Sequence, residues 1–426
     1  MKAFDKVIGY DSIKEELLQI CDMIHNPEVY RRLGAKLPHG ILLDGDPGLG
    51  KTLMAKCFIE ESGLRAYTIR RTRADDDFIG EITATFLEAK RNEPSIVFLD
   101  DMDKFANEDN MHCDAEEYVA VQAGIDEVKD SNVFVIATVN ESRKLPRSLR
   151  RSGRFDRRIK VHVPNDEDAK RIIRHYLSDK KVSEDIDMED ISKMISYSSC
   201  AALETILNEA AVNAAYKRKE IVEMSDIVNS VLRMQYHAPD NYTVLSQEDK
   251  THIALHEAGH LVVCEVLVSG SVGLASVRSS GRGSTGGFIH RCVELPQNIF
   301  HAMVSLAGKA AVEMYYPERC ADGCSEDIYR AADIIRTEIS ELGSRGLAMF
   351  DVANNKFPHT SESMNSRNEA VVQAELERLM FKVRDILIKN RDFLEKILAA
   401  LMEKDTLLYS DIKNLRESVT IVPVYM

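Results

Sequence analysis

The sequence predicts an α/β unit built on a buried parallel sheet, followed by a mostly α-helical remainder. Three observations carry this. "GILLD" (40–44), "SIVFLDD" (95–101) and "NVFVIATVN" (132–140) are uninterrupted apolar runs bounded by polar turns. Such runs, separated by helical stretches, mark strands covered on both faces. From Asp166 onward apolar residues recur at three- and four-residue spacing, the period of a helix with one buried face. At 426 residues, finally, the chain exceeds what a single core holds, so two or three domains are expected.

Taken in order, "MKAFDKVIGYDSIKEELL" at the N-terminus is charged and amphipathic, unlike a secretory signal. "GILLD" runs into the turn "GDPGLGKT" (45–52) and then the helical pattern "TLMAKCFIEES", which reads as strand, loop, helix. This α/β unit is expected over 1–164. "DAKRIIRHYLSDKK", "MEDISKMISYSS", "AALETILNEAAVNAAYKRKE" and "MSDIVNSVLRM" then predict a small helical domain over 165–234. "QYHAPDNYTVL" (235–245) has no periodicity and is the expected linker. The last region, 246–426, is mostly helical, with a Gly/Ser-rich interruption, "SSGRGSTGG", at 279–287.

Composition narrows the function classes. An apolar fraction of 44% excludes wholesale disorder, and a net charge of −14 argues against a general nucleic-acid binder. The exception is local: "RKLPRSLRRSGRFDRRIK" (143–160) holds nine Lys or Arg. Eight cysteines are scattered without a C-x-x-C pair, Cys320 and Cys324 being the closest. Buried or idle free thiols in a reducing cytoplasm are the expectation. No run approaches the ~20 apolar residues of a membrane span. The longest, "LVVCEVLV" (261–268), is interrupted by Glu265, so a soluble cytoplasmic protein is expected.

"GDPGLGKT" satisfies G-x-x-x-x-G-K-[ST] between a strand and a helix. In that pattern Gly45, Asp46, Pro47, Gly48, Leu49 and Gly50 form a loop whose N–H groups curl around phosphate. Lys51 reaches the β- and γ-oxygens, and Thr52 offers its hydroxyl to magnesium. The following helix points its positive end at the same anion. "SIVFLDD" delivers acids at the end of a strand: Asp100 to hold magnesium through water, Asp101 to polarise an attacking water. ATP with Mg2+ is the implied cofactor.

"IALHEAGHLVV" (253–263) sets two histidines at i and i+4. His256 and His260 therefore share one helical face and can converge on one ion, most simply Zn2+. Glu257 lies about 100° round the helix, in reach of a water at the ion as general base. Ser246 with Asp249 resembles a capping box at the start of this helix, and Gly270 suits its far end. A catalytic zinc needs a third protein ligand. "DGCSEDIYRAADIIR" (322–336) offers Asp327 in the first turn of an amphipathic helix, with Glu265, Glu294, Glu313 and Asp322 as competitors.

Two resemblances sharpen these readings. "VIGYDSIKEEL", "GDPGLGKTLMAK", "SIVFLDDMD", "FVIATVN" and "LRRSGRFDRRI" occur in the order and spacing of AAA+ ATPases. The resemblance implies that Arg151 and Arg154 are arginine fingers reaching a neighbouring subunit's γ-phosphate, and that Asn140 is the sensor orienting the attacking water. Fingers acting in trans imply a ring, and the rings of this family are hexamers. Two departures stand out. Asp101 replaces the usual glutamate, one methylene longer, which implies slow hydrolysis. "CAAL" (200–203) replaces a lid segment like G-A-D-L, which puts lid contacts to nucleotide in question.

Downstream, "VLSQEDKTHIALHEAGHLVV", "LAGKAAVEMYY" and "DGCSEDIYRAADIIRTEI" resemble the peptidase domain of FtsH-type zinc metalloproteases. That family takes its third ligand from the aspartate of an "ND-L/I" step, which here reads "ED-I" and implies Asp327. The closing helices also follow the family, so the resemblance spans nearly all of 4–416. The implied fold class is an α/β P-loop AAA+ ATPase domain with helical lid, followed by a mostly α-helical zinc peptidase domain. The family's N-terminal membrane anchor has no counterpart in this sequence, which implies a naturally soluble relative or an excised portion.

The family grips substrate with an aromatic-hydrophobic-glycine pore loop. "DFIGE" (77–81) sits there, giving Phe78, Ile79 and Gly80, although Phe78, Ile82 and Phe86 share a helical spacing that also suits a core. "GSTGGFIH" (283–290) resembles a rim and edge strand that an extended substrate could join. The expected function is an ATP-dependent zinc endopeptidase that unfolds, translocates and degrades unfolded or tagged proteins as a homohexamer. A remodelling ATPase, or a nucleotide-gated peptidase with weak hydrolysis at Asp101, is the alternative.

Overall fold

A computed structural model describes residues 3–36, 38–71, 77–107, 115–151, 153–238, 246–278, 286–317, 324–344, 346 and 362–424. Most of the expected linker and of the Gly/Ser-rich interruption, with Cys113, Cys320 and Asp322, lies outside the described residues. Two compact units are formed, one by 1–179 with 197–205 and the other by 180–196 with 206–426. The residues expected to make one helical lid, 165–234, are thus divided between them.

The first unit is built on five parallel strands: β1 (Gly40–Asp44), β2 (Arg65–Ile69), β3 (Ser95–Leu99), β4 (Val133–Val139) and β5 (Arg157–Lys160), in the order β2-β3-β4-β1-β5. β3 and β4 are buried along their whole length and β1 nearly so, as their uninterrupted apolar sequences require. Helices α1 (Asp11–His25), α2 (Pro27–Arg31), α3 (Lys51–Ser62), α4 (Phe78–Arg91), α5 (Ala115–Glu127) and α6 (Asp166–Leu177) complete the unit. Alternation along β4 shows both faces covered. Phe134 meets Phe58 of α3 at 5.5 Å between ring centroids, whereas Val133 and Val135 join Ile82 and Phe86 of α4. β1 pairs with β4 on one side and β5 on the other. The loop at its carboxyl end therefore opens where open parallel sheets bind ligands.

The second unit contains α7 (Met188–Met194), most of α8 (Cys200–Tyr216), α9 (Met224–Gln235), α10 (Gln247–Leu267), α11 (Asn298–Tyr315), α12 (Ser325–Ser340), α13 (Glu362–Lys389), α14 (Arg391–Lys404) and α15 (Tyr409–Glu417). α7 belongs here because Asp190 accepts bonds from both the amide and the hydroxyl of Ser410, at 2.7 Å each. α10 is capped as its sequence indicates: Ser246 Oγ accepts from the Asp249 amide at 3.1 Å. Gly270 beyond its end takes a positive φ of 72°. Apolar residues surround α10 on several sides because it is the central helix of the core. Gly259 lets α11 approach so closely that a Cβ there would lie 2.5 Å from the Ala307 carbonyl. Beside the helices, β6 (Val272–Ser276), β7 (Phe288–Arg291) and β8 (Thr406–Leu408) form an antiparallel sheet in the order β7-β6-β8, leaving β7 at an edge.

Candidate nucleotide site and metal centre

In the first unit the glycine loop follows β1 directly and α3 begins at Lys51. Gly48 and Gly50 have φ of 78° and 86°, a region that disfavours any other residue type. At Gly45 a Cβ would lie 2.1 Å from the Val161 carbonyl, so the backbone fits only because no side chain is present. The buried Lys51 ammonium donates to the carbonyls of Gly45 and Asp46, at 2.6 and 2.7 Å, and to Asn140 Oδ1 at 2.9 Å. Burial holds its pKa below the usual lysine value, opposed by the charges of Asp101 and Asp103. Thr52 Oγ1 and Thr138 Oγ1 each donate to Asp100 Oδ1 at 2.9 Å. Asp101 stands in a left-handed conformation with φ of 54°, its carboxylate 2.7 Å from Lys104 and 3.7 Å from Arg70.

The loop faces a cavity of about 560 Å3, within the range of small-molecule sites. Pro47, Leu49, Lys51, Thr52, Asp101 and Asn140 line it, and Tyr10, Tyr176 and Glu204 close it elsewhere. The departure at "CAAL" does not remove this segment from the cavity. Cys200 and Ala201 line it, and the Ala201 amide donates to the Gly48 carbonyl at 3.0 Å. A glycine cradle, a buried cation, a twelve-residue helix opening on the loop and a hydroxyl–carboxylate pair fit a nucleoside triphosphate with magnesium. Sequence reasoning missed Thr138 and Tyr10. Neither lies in a phosphate-binding pattern, and only strand pairing and packing bring them here.

Two other expectations meet a different outcome. Phe78 is not on an exposed loop: it is the first residue of α4, is 5% exposed, and packs edge-on against Phe105 at 5.3 Å. With Ile82 and Phe86 it belongs to the sheet's core, so the helical spacing is the one realised and Phe78 is not free to grip. Ile79 and Gly80 are half-buried in the same first turn. Arg151 is exposed, but Arg154 is committed within the chain, with Nη2 2.7 Å from Asp126 and Nη1 on the Ser148 carbonyl.

In the second unit α10 carries His256, Glu257 and His260, and α12 carries Asp327 in its first turn. The two Nε2 atoms lie 2.9 Å apart, and Asp327 Oδ2 lies 3.2 and 3.3 Å from them. All three donor atoms fall within 4.8 Å of one another. Donors about 2.0–2.1 Å from a tetrahedral zinc sit roughly 3.3 Å apart, so the set fits that ion. His260 Nδ1 donates to the Val304 carbonyl at 2.6 Å, which leaves the lone pair of Nε2 facing the centre. Burial pushes the Glu257 carboxyl up from its ordinary value, opposed by the nearby histidines. Gly287, just before β7, sits against it: a Cβ there would be 2.9 Å from Glu257 Cγ.

Among the described residues, none of the competing carboxylates joins the histidines. Glu265 accepts from the amides of Gly270 and Val272 at 2.8 and 2.9 Å, Glu313 pairs with Lys309 and Arg384, and Glu294 is exposed. Among the described residues Asp327 alone joins the two histidines.

Two separate parts of the chain match known families. Residues 41–163 match the ATPase family associated with various cellular activities (AAA), and residues 243–415 match peptidase family M41. ATP-dependent zinc metalloprotease FtsH 2 of Symbiobacterium thermophilum is 30% identical over 443 residues, covering 97% of this chain and 74% of that protein. The chain belongs to the FtsH-type ATP-dependent zinc metalloproteases. FtsH of Leptotrichia buccalis and FtsH of Streptobacillus moniliformis are each 30% identical over 438 residues. The chain covers 56% and 64% of those two relatives' lengths. No helix among the described residues is long and apolar enough to cross a membrane.

Proposed function

We propose that this chain is an ATP-dependent zinc endopeptidase that degrades unfolded or tagged proteins. The observation that carries the reading is the convergence of His256, His260 and Asp327 beside Glu257. Three protein donors with a carboxylate next along the helix suit a catalytic site, because a structural zinc takes four.

Bound zinc supplies Lewis acidity, polarising a scissile carbonyl and making water a competent nucleophile near neutral pH. Glu257 takes the proton of that water and hands it to the leaving amine. The edge of β7, unpaired among the described residues, pairs with substrate backbone and presents an extended chain to the site.

On the nucleotide side, Gly45 to Gly50 and Lys51 hold the phosphates, while Thr52 and Asp100 hold magnesium. Asp101 and Asn140 orient the attacking water. Arg151 serves as the finger toward a neighbouring subunit, and Arg154 braces its loop through Asp126. The reading includes a homohexameric ring and a division into ATPase (1–164), lid (165–234), linker (235–245) and peptidase (246–426). A reducing, cytoplasmic setting is in keeping with the free thiols of Cys21, Cys57, Cys200, Cys264, Cys292 and Cys324.

The test is degradation of casein by the full chain with and without ATP and with a zinc chelator. Cleavage that needs zinc and is accelerated by ATP is expected. ATP turnover without any zinc-dependent cleavage would replace this reading with that of a remodelling ATPase.

A further inference from the structure

The two histidines of the metal centre are not held alike. His260 is anchored through Nδ1 to the Val304 carbonyl at 2.6 Å, a strong neutral acceptor. For His256 the contact at Nδ1, among the described residues, is Cys324 Sγ at 3.7 Å. Cys324 is 2% exposed and immediately precedes α12, three residues before Asp327. Gly308 of α11 also bounds the His256 ring: a Cβ there would stand 2.4 Å from Cε1 and 2.6 Å from Nδ1. A glycine on one element and a thiol on another thus both stand against this ring.

We propose that Cys324 is a positioning residue for His256, its sulfur accepting the Nδ1 proton and so directing the Nε2 lone pair at the metal. The inference rests on the reading of His256 as a zinc ligand. A neutral imidazole carries one ring proton, and the nitrogen that lacks it binds metal. An acceptor at Nδ1 keeps the proton there and orients the ring. Sulfur is a weak acceptor, so this anchor contributes less than the carbonyl under His260. Cys324 therefore ties the stem of α12, and with it Asp327, to the same ring that Asp327 joins at the metal.

The test is zinc affinity of the full chain, measured by competition with a chromophoric chelator, alongside thermal unfolding of the zinc-free protein. Outer-shell partners of zinc ligands typically change affinity by about 10–100-fold, and the weak thiol bond points to the lower end. Cys324→Ala is expected to weaken zinc binding about tenfold, while Cys324→Ser, which keeps an acceptor, recovers most of it. The zinc-free unfolding temperature should barely differ between the two variants. Equal affinity of Cys324→Ala and the unaltered chain would overturn the proposal. Equal loss in both variants would also overturn it, because packing and not the acceptor would then be responsible. Failure of the unaltered chain to bind zinc, or full binding by His256→Ala, would instead overturn the metal-centre reading on which it rests.

Discussion

Gly308 lies directly against the imidazole of His256: a Cβ at that position would be 2.4 Å from Cε1 and 2.6 Å from Nε2. Glycine here makes room for an imidazole on a neighbouring helix. Gly308→Ala must displace the ring, and overpacking of this kind costs about 1–3 kcal/mol. Peptidase activity should fall by about 10²-fold, since small misplacements of a reacting group are that damaging. Zinc affinity should fall with it while circular dichroism stays unchanged. Full activity in this variant would show that the ring has room to move.

Glu257→Gln keeps the shape of a buried side chain and removes the base. Zinc content should be retained and proteolysis should drop at least about 10²-fold, the lower bound for a lost general base. Metal analysis and casein digestion check both parts. Loss of zinc would reassign Glu257 as a ligand.

Asp101 is one methylene shorter than the usual family residue, and its carboxylate is occupied by Lys104 at 2.7 Å. Asp101→Glu should raise the steady-state ATPase rate several-fold by bringing the carboxylate nearer the attacking water. A rate that stays level or declines would refute this account of the shorter side chain.

Stability should depend on His290 in acid. Burial, with help from Arg291, pushes its pKa from 6.5 down to about 4, and Ser196 Oγ lies 2.8 Å from its Nε2. The folded state therefore resists a proton that the unfolded state accepts. The contribution is complete above pH 6.5, shrinks as pH falls, and is lost below about pH 4. At about 1.4 kcal/mol per pH unit this amounts to about 3 kcal/mol. Urea unfolding of His290→Gln should show a weaker pH dependence than the unaltered chain between pH 6.5 and 4. Parallel curves would disprove it.

Local order carried most of what could be read from the chain. Glycines before Lys51, acids after an apolar run and histidines one helical turn apart are short-range patterns, because backbone geometry fixes which neighbours share a face or a loop. For that reason the parallel sheet, the phosphate loop and the histidine pair are legible in the sequence itself. Phe78 shows the limit of such reading. Its spacing fitted both a pore loop and a core, and only packing against Phe105 decided for the core.

Long-range choices belonged to the fold. Spacing alone offers Asp327 as a third donor against Glu265, Glu294, Glu313 and Asp322, and only the family resemblance singles it out. Packing of α10 and α12 in one core brings Asp327 to the histidines, whereas Glu265 is drawn to the amides of Gly270 and Val272. Thr138 reaches Asp100 across strands, and Cys324 reaches His256 from 68 residues away. No residue's own neighbours encode such meetings. They arise because burying apolar faces of distant segments in one core forces particular polar side chains into contact.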